Sequence, residues 1–214
     1  MKKGPLIFQM PVGGMENFCY LVADPGTREA VCIDPAWEPE TILARIREEK
    51  LRLAAILCTH FHDDHTNAVP ALVRACPVPV HMHEADARHY GGRSKSFRMT
   101  RDGEVLHCGG LEIGVLHTPG HTPGGQCFHI GGNLFTGDTL FITACGRCDF
   151  PFSDPKAMYA SLTQKIAALP DETVIYPGHD YSDVPSATLG EVKRINPYMK
   201  LRSEEQFLRF RMAW

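Results

Sequence analysis

The sequence predicts an α/β (α+β) fold in which two mixed β-sheets pack face to face and helices cover their outer faces. Two observations lead to this prediction. Apolar, strand-like runs occur in two groups, one in each half of the chain, and each group is accompanied by segments whose apolar residues recur at helical spacing. Because each half supplies its own strands and helices, the simplest arrangement is one sheet from each half with the helices outside.

The first half begins as a meander and continues as alternating strands and helices. The turn-forming residues Gly13-Gly14 and Asp24-Pro25-Gly26 separate the first three runs and predict antiparallel pairing. The predicted strands cover residues 6–8, 18–22, 30–33, 53–58 and 78–82. The predicted helices cover residues 38–50 and 66–75. Alternation of strand and helix after residue 38 indicates a partly parallel sheet.

The second half repeats the pattern after a polar stretch over 84–104, which predicts a short helix and then a surface loop, a candidate lid. The predicted strands cover residues 105–107, 111–116, 126–130, 134–136 and 173–176. Residues 155–168 have helical periodicity, with Asp154 as the expected N-cap. The tail over 187–211 predicts one or two helices interrupted at Asn196-Pro197.

Composition excludes several classes of function. A formal net charge of -3 with mixed signs provides no basic surface, so nucleic acid is not an expected partner. No apolar run approaches the roughly 20 residues of a membrane helix, and the first residues turn polar too early for a signal peptide. We therefore expect a cytoplasmic protein without a membrane partner. No linker or low-complexity segment divides the chain, which predicts a single domain over residues 1–214.

Most of the eight cysteines lie inside apolar runs, where cysteine acts as a small hydrophobic residue. Without export, a disulfide framework is not expected. The exception is Cys145-Gly146-Arg147-Cys148, which has the spacing of a redox pair or of half a zinc ribbon. A zinc ribbon needs a second such pair, which the sequence lacks. A functional disulfide between Cys145 and Cys148 stays open as an alternative.

The segment Thr59-His60-Phe61-His62-Asp63-Asp64-His65 directly follows the predicted buried strand over 53–58. His60 and His62 are two residues apart and project from the same side of an extended chain. Asp64 and His65 lie where the next helix begins, so this corner can aim ligands at two neighbouring points. Imidazole and carboxylate groups suit zinc, iron or manganese. The pattern predicts a metal site, the alternative being a solvent-exposed loop rich in histidine.

Three further polar residues stand just after predicted strands, at the same edge of the expected architecture. His121 follows the strand over 111–116, Asp138 follows the strand that ends at Gly137, and His179 follows the last strand. Each alone is an ordinary turn residue. Together with the first cluster they supply enough donors for two metal ions.

These motifs resemble the metallo-β-lactamase superfamily, an αββα sandwich of metallohydrolases. The resemblance rests on His-x-His-x-Asp-His at 60–65 and on His121, Asp138 and His179, which occur in the family's order. Within the superfamily the chain is most similar to the glyoxalase II-like (hydroxyacylglutathione hydrolase-like) group. The segments that carry this similarity are 118–124, 134–141, 145–147 and 176–181.

The resemblance implies a site with two divalent metal ions, zinc first, with iron or manganese as alternatives. It assigns one metal to His60, His62 and His121, the other to Asp64, His65 and His179, and a bridging role to Asp138. It further implies that a hydroxide between the metals attacks a thioester carbonyl, with Asp64 and Asp138 as the catalytic carboxylates. The expected partner is a small molecule such as a glutathione conjugate, contacted by Arg147 and Tyr181. An ion pair between Arg147 and Asp149 is the alternative for that arginine.

Two features of the sequence depart from the glyoxalase II pattern and leave the substrate open. Glyoxalase II proper continues well beyond its last ligand with a helical domain, whereas this chain ends 35 residues after His179. The segments 146–150 and 179–181 also resemble persulfide dioxygenases, which bind one iron at positions matching His60, His121 and Asp138 and oxidise glutathione persulfide.

Of the remaining histidines, His81 and His83 share one side of a strand, and we interpret them as sheet-surface or lid contacts.

Overall fold

Twelve strands build two six-stranded sheets in the computed structural model, which describes residues 4–90 and 96–213. The first sheet has the order β1-β2-β3-β4-β5-β6, with antiparallel pairing up to β3 and parallel pairing beyond it. Its strands are β1 Leu6–Val12, β2 Asn17–Ala23, β3 Glu29–Ile33, β4 Arg52–Leu57, β5 Val80–His83 and β6 Phe97–Thr100.

The second sheet has the order β12-β11-β10-β9-β8-β7, and its only parallel pair among the described residues is β10 with β11. Its strands are β7 Val105–Cys108, β8 Leu111–His117, β9 Gln126–Ile130, β10 Asn133–Gly137, β11 Val174–Pro177 and β12 Ala187–Thr188. Both sheets are mixed, which confirms the predicted fold class.

Helices cover the outer face of each sheet. Those packed on the first sheet are α1 Pro39–Glu48, α3 Val69–Ala75 and α4 Glu84–Tyr90, while the short α2 Asp63–Thr66 lies at the sheet edge. Those packed on the second sheet are α5 Pro155–Ala160, α6 Leu189–Ile195 and α7 Glu204–Arg211. The side chain of Asp154 caps α5 by accepting from two backbone amides, as the sequence predicts.

Strand β2 shows how the layers share the core. Phe18 and Val22 belong to the cluster between the two sheets, whereas Cys19 and Leu21 belong to the cluster under the first helical layer. Side chains alternate across a strand, so a strand covered on both faces buries every residue. All seven residues of β2 are buried.

Two segments differ from the sequence prediction. Residues 97–100, expected in a surface loop, form β6 at the edge of the first sheet. An edge strand with two exposed residues in the middle, Arg98 and Met99, has no alternating apolar pattern to reveal it. The helix after Asp154 continues beyond α5 as a π-helical turn, Ser161–Lys165, and a 3₁₀ turn, Ile166–Ala168. Residues 91–95 of the candidate lid lie outside the described residues.

The predicted interruption of the C-terminal helices at Asn196-Pro197 is confirmed, since α6 ends at Ile195 and α7 begins at Glu204. The buried Asn196 follows α6 and donates from Nδ2 to the carbonyls of Phe141 and Ala144, at 3.0 and 2.9 Å. These bonds tie the helix end to the loop after Asp138. None of the helices in the described part of the chain combines the length and apolar character needed to span a membrane.

Candidate metal centre

Four strands end at the same edge of the two sheets and deliver the polar residues singled out above. The loop after β4 carries His60, and the loop after β8 carries His121. Asp138 directly follows β10, and His179 lies two residues beyond the end of β11. Gly137, at the end of β10, has φ 48° and lies so close to Thr59 that a Cβ would sit 2.2 Å from its Oγ1. Glycine therefore permits the close approach of the two sheets at this point.

The predicted donors form two groups whose potential ligand atoms lie within 4.8 Å of one another. The first group is His60, His62 and His121, and the second is Asp64, His65 and His179. Asp138 lies between them. Its Oδ2 is 3.5 Å from Nε2 of His121, and its Oδ1 is 3.3 Å from Nε2 of His65. The structure therefore brings together all seven donors that the sequence suggested.

Backbone carbonyls orient one histidine of each group. Nδ1 of His121 donates to the carbonyl of Arg147 at 2.7 Å, and Nδ1 of His179 donates to the carbonyl of Met15 at 2.8 Å. A carbonyl only accepts, so Nδ1 carries the proton in each ring and Nε2 presents a lone pair to the centre. This outward hydrogen bond is the arrangement that metal-binding histidines use.

Asp34, which the sequence analysis did not single out, organises two more rings. Its buried carboxylate accepts from the backbone N–H and the hydroxyl of Thr59, at 2.7 and 2.6 Å, and lies 3.1 Å from Nδ1 of His65. The Thr59 hydroxyl is in turn 3.0 Å from Nδ1 of His60. Asp34 directly follows β3, the same signal that identified Asp138, so it could have been found from sequence.

Asn17 and Trp37 hold the second group in place, and no pattern in the sequence pointed to either residue. Nδ2 of Asn17 donates to Oδ2 of Asp64 at 3.0 Å, and the indole N–H of Trp37 donates to Oδ1 of Asn17 at 2.8 Å. Asn17 reaches this position because it pairs with His179 across an isolated bridge between the two sheets. That pairing joins residues far apart in the chain, so no local pattern predicts it.

Burial and neighbouring charges set the protonation states of the donors. Burial lowers the pKa of His60, and it lowers the pKa of His62 to about 4. Burial alone would raise the pKa of Asp64, but the hydrogen bond and charge of His65 outweigh it and bring the value to about 2. For Asp138, too, the charge of His65 outweighs burial and holds the pKa well below the usual range. Near neutral pH His60 and His62 therefore present neutral imidazoles, and the two carboxylates are ionised, the forms that bind metals. For His65, burial lowers the pKa, but the charge and hydrogen bond of Asp138 outweigh it and raise the pKa well above its usual range, so metal binding would release this proton.

Unpaired buried atoms and the donor spacing both fit a bound cation. Nε2 of His60 is buried and has no hydrogen-bond partner among the described residues. Oδ1 of Asp138 is also buried and accepts no hydrogen bond from them, although it faces Nε2 of His65 at 3.3 Å. Such atoms are costly unless a ligand satisfies them. The facing nitrogens of His62 and His121 are 2.9 Å apart, and those of His65 and His179 are 3.1 Å apart. Nitrogens on a tetrahedral zinc ion are about 3.3 Å apart, so small movements would accommodate one.

A cavity of about 970 Å³ opens beside the two groups. Its walls include Phe141, Phe150, Tyr181, Tyr198 and Arg147. The Tyr181 ring stacks on His179 with centroids 4.6 Å apart. The guanidinium of Arg147 binds Asp149 through two hydrogen bonds, of 2.9 and 2.7 Å, and lies 4.4 Å from the centre of the Phe150 ring. Both residues expected to contact substrate thus line the cavity, and the ion pair named as the alternative for Arg147 is formed.

Two other features lie outside the two ligand groups. Cys145 and Cys148 are buried free thiols, and burial raises the pKa of both, that of Cys148 to about 11. Thiols in this state are poor nucleophiles, which does not favour a redox role. His83 is buried and stacks on His117 with centroids 3.9 Å apart, so its interpretation as a surface or lid contact is wrong.

Comparisons with known proteins agree with this geometry. The model of the Metallo-beta-lactamase superfamily matches residues 12–179. A probable polyketide biosynthesis zinc-dependent hydrolase of Bacillus velezensis is 34% identical over 91% of this chain and 87% of its own length. A hydroxyacylglutathione hydrolase-like protein of Gallus gallus is 33% identical over 93% of this chain and 67% of its own. The mitochondrial persulfide dioxygenase ETHE1 of Homo sapiens is 35% identical over 88% and 74%.

Solved structures with the same fold have comparable identity. The crystal structure of ETHE1 from Myxococcus xanthus superposes with a TM-score of 0.89 at 34% identity, covering 97% of this chain and 90% of that one. A protein named TTHA1623, in a di-iron-bound form, superposes with a TM-score of 0.76 at 38% identity, covering 89% and 99%. These relatives are named for zinc or for iron, so they leave the identity of the metal open.

Proposed function

The chain belongs to the metallo-beta-lactamase superfamily, a metal-dependent superfamily, and we propose that it is a hydrolase of small thioesters or esters of the hydroxyacylglutathione type. The observation that carries this proposal is the position of Asp138. One of its oxygens faces His121 of the first group and the other faces His65 of the second. Two complete groups joined by one carboxylate support occupation by two metal ions.

The residues that would hold the metals are those the geometry brings together: His60, His62, His121, Asp64, His65, His179 and Asp138. Two bound divalent cations supply a water-derived nucleophile near neutral pH and a Lewis acid for a carbonyl oxygen. We favour zinc, since the Bacillus velezensis relative is named as zinc-dependent. Iron and manganese are alternatives because neutral imidazole with carboxylate accepts all three metals.

The chain's own residues would orient the attacking water and bind the substrate. Asp64 stays ionised near neutral pH and is fixed by Asn17, so it can accept a hydrogen bond from the attacking water and orient it. The aromatic walls of the cavity exclude bulk water and suit the apolar part of an acyl group. Arg147 and Tyr181 line the same cavity, and we propose that they contact a charged, glutathione-like leaving group. A thiol has a pKa of about 8.5, so its thiolate can leave without a strong general acid.

A second candidate function is oxidation of a persulfide at one iron, favoured by the 35% identity to a persulfide dioxygenase. It would use His60, His121 and Asp138 and leave the second group without a metal. Metal stoichiometry therefore separates the two candidates.

The test combines metal analysis with two assays on one sample. Protein purified without added metal is examined for zinc, iron and manganese, for hydrolysis of S-lactoylglutathione, and for O2 uptake on glutathione persulfide. About two metal ions per chain with thioester cleavage, lost with a chelator and restored by zinc, is the expected result. About one iron per chain with O2 consumption and no hydrolysis would replace the hydrolase with the dioxygenase.

A further inference from the structure

A fully buried carboxylate, that of Asp86, lies beside the metal centre without belonging to either ligand group. Asp86 is in the first turn of α4 and has 0% of its surface exposed. A buried carboxylate is costly unless hydrogen bonds replace its hydration, so its partners indicate what it stabilises.

Three donors from two loops satisfy this carboxylate. Oδ2 accepts from the backbone N–H of Phe61 at 3.1 Å and from the hydroxyl of Thr122 at 2.7 Å. Oδ1 accepts from the backbone N–H of Gly124 at 2.5 Å. A Cβ at position 124 would lie 2.6 Å from Cγ of Asp86, so a glycine is required for this approach.

The partners lie next to one ligand group only. Phe61 stands between His60 and His62 in the sequence, and Thr122 directly follows His121. Within the described part of the chain, every hydrogen bond of the Asp86 carboxylate goes to these two loops and none goes to the residues of the second group.

We propose that Asp86 is a positioning residue: it joins the two loops that carry His60, His62 and His121 and thereby sets the affinity of this group, and not of the second group, for a divalent cation. The inference rests on the metal centre of the proposed function. It adds a residue that, among the described residues, hydrogen-bonds to none of the seven donors and acts through Phe61, Thr122 and Gly124 beside them.

Asp86→Asn provides the sharpest perturbation because it keeps the shape of the side chain. An amide has one accepting oxygen, whereas Phe61 and Gly124 present backbone N–H donors to different oxygens of Asp86. Whichever way the amide is oriented, its NH2 faces one of these N–H donors. Facing Phe61 it releases the first loop, and facing Gly124 it leaves the second loop held by the Thr122 hydroxyl alone. Loss of an outer partner of a metal site typically weakens metal binding by about 10–100-fold.

The experiment is a zinc titration of chelator-treated protein against a chromophoric chelator, which yields two stepwise affinities. We expect Asp86→Asn to weaken one step by about 10–100-fold and to leave the other within about 3-fold. Glu84→Gln is the matched control, since Glu84 lies on the same helix but pairs with the exposed Arg101. In a His62→Ala background, where the first group is already broken, Asp86→Asn should add no further loss. Equal weakening of both steps, or of neither, overturns the proposal.

Two further measurements keep the outcome decisive. If Asp86→Asn does not fold, Thr122→Val removes only the hydroxyl donor and should weaken the same step by a smaller factor. If the wild-type protein binds none of zinc, iron(II) and manganese(II), the proposed function fails while Asp86 can still be judged by amide hydrogen exchange. Asp86→Asn should then speed exchange at Phe61 or Gly124 alone, and uniformly faster exchange would refute the positioning role.

Discussion

Replacing Gly178 with alanine would test whether the spacing between Asp138 and His65 controls activity. A Cβ at position 178 would lie 2.7 Å from Oδ1 of Asp138 and 2.9 Å from both the carbonyl carbon of Gly137 and Cε1 of His65. Nonbonded heavy atoms prefer separations of about 3.5–4.0 Å, so the methyl group forces movements of roughly 0.6–1.3 Å. The backbone of Gly137 cannot easily yield, and the two predicted ligands must therefore separate.

The expected effects follow from these distances. Overpacking of this kind costs about 1–3 kcal/mol, which lowers the unfolding midpoint of a chain of this size by roughly 2–12 °C. A displacement of about 1 Å at a reacting centre reduces the rate by roughly 100-fold. We expect Gly178→Ala to lose about 100-fold in kcat/KM for thioester hydrolysis and to bind the metals more weakly.

The assay measures kcat/KM, metal content and the unfolding midpoint on the same preparations. Gly114→Ala is the control, because a Cβ at position 114 would make only ordinary contacts with His129, at 3.8 Å. Wild-type turnover and full metal content in Gly178→Ala would refute the reasoning. That result would mean that the separation of Asp138 and His65 does not govern the site.

Three other predictions use residues at and near the centre. His62→Ala should abolish hydrolysis and reduce metal content from about two ions per chain to about one, measured by elemental analysis and turnover. Arg147→Ala should raise KM for a glutathione thioester by about 10-fold while changing the unfolding midpoint by only a few degrees, since its ion pair with Asp149 is solvent-exposed. Burial, followed by its neighbour His117, lowers the pKa of His83 to about 4, below the unfolded value of about 6.5. As the pH falls, the unfolded chain binds this proton before the folded chain does. The part of the free energy of unfolding that is present above pH 6.5 should therefore be lost as the pH falls toward 4. The thermal unfolding midpoint of His83→Gln should change less with pH than that of the wild type.

Each of these has a clear contrary result. Retained hydrolysis in His62→Ala would exclude a binuclear mechanism. An unchanged KM in Arg147→Ala would show that this side chain makes only its loop contact with Asp149 and does not bind the substrate. Parallel pH profiles for wild type and His83→Gln would show that His83 is not held neutral by burial.

The sequence alone specified the two mixed sheets, the helical layers and the edge at which the polar donors meet. These features depend on local signals: the length of apolar runs, turn-forming residues, and a polar residue directly after a strand. All seven candidate donors were found in this way, and the structure brings them together. Their role as metal ligands stays a prediction.

Only the tertiary structure decided how those donors are held. Asn17 reaches Asp64 because β2 pairs with the segment around His179 on the other sheet, and Asp86 joins two loops that lie far apart in the sequence. The sequence did not predict strand β6, because an exposed edge strand does not need an alternating apolar pattern. Such contacts form between segments distant along the chain, and a sequence records them only as isolated polar residues whose partners are set by packing.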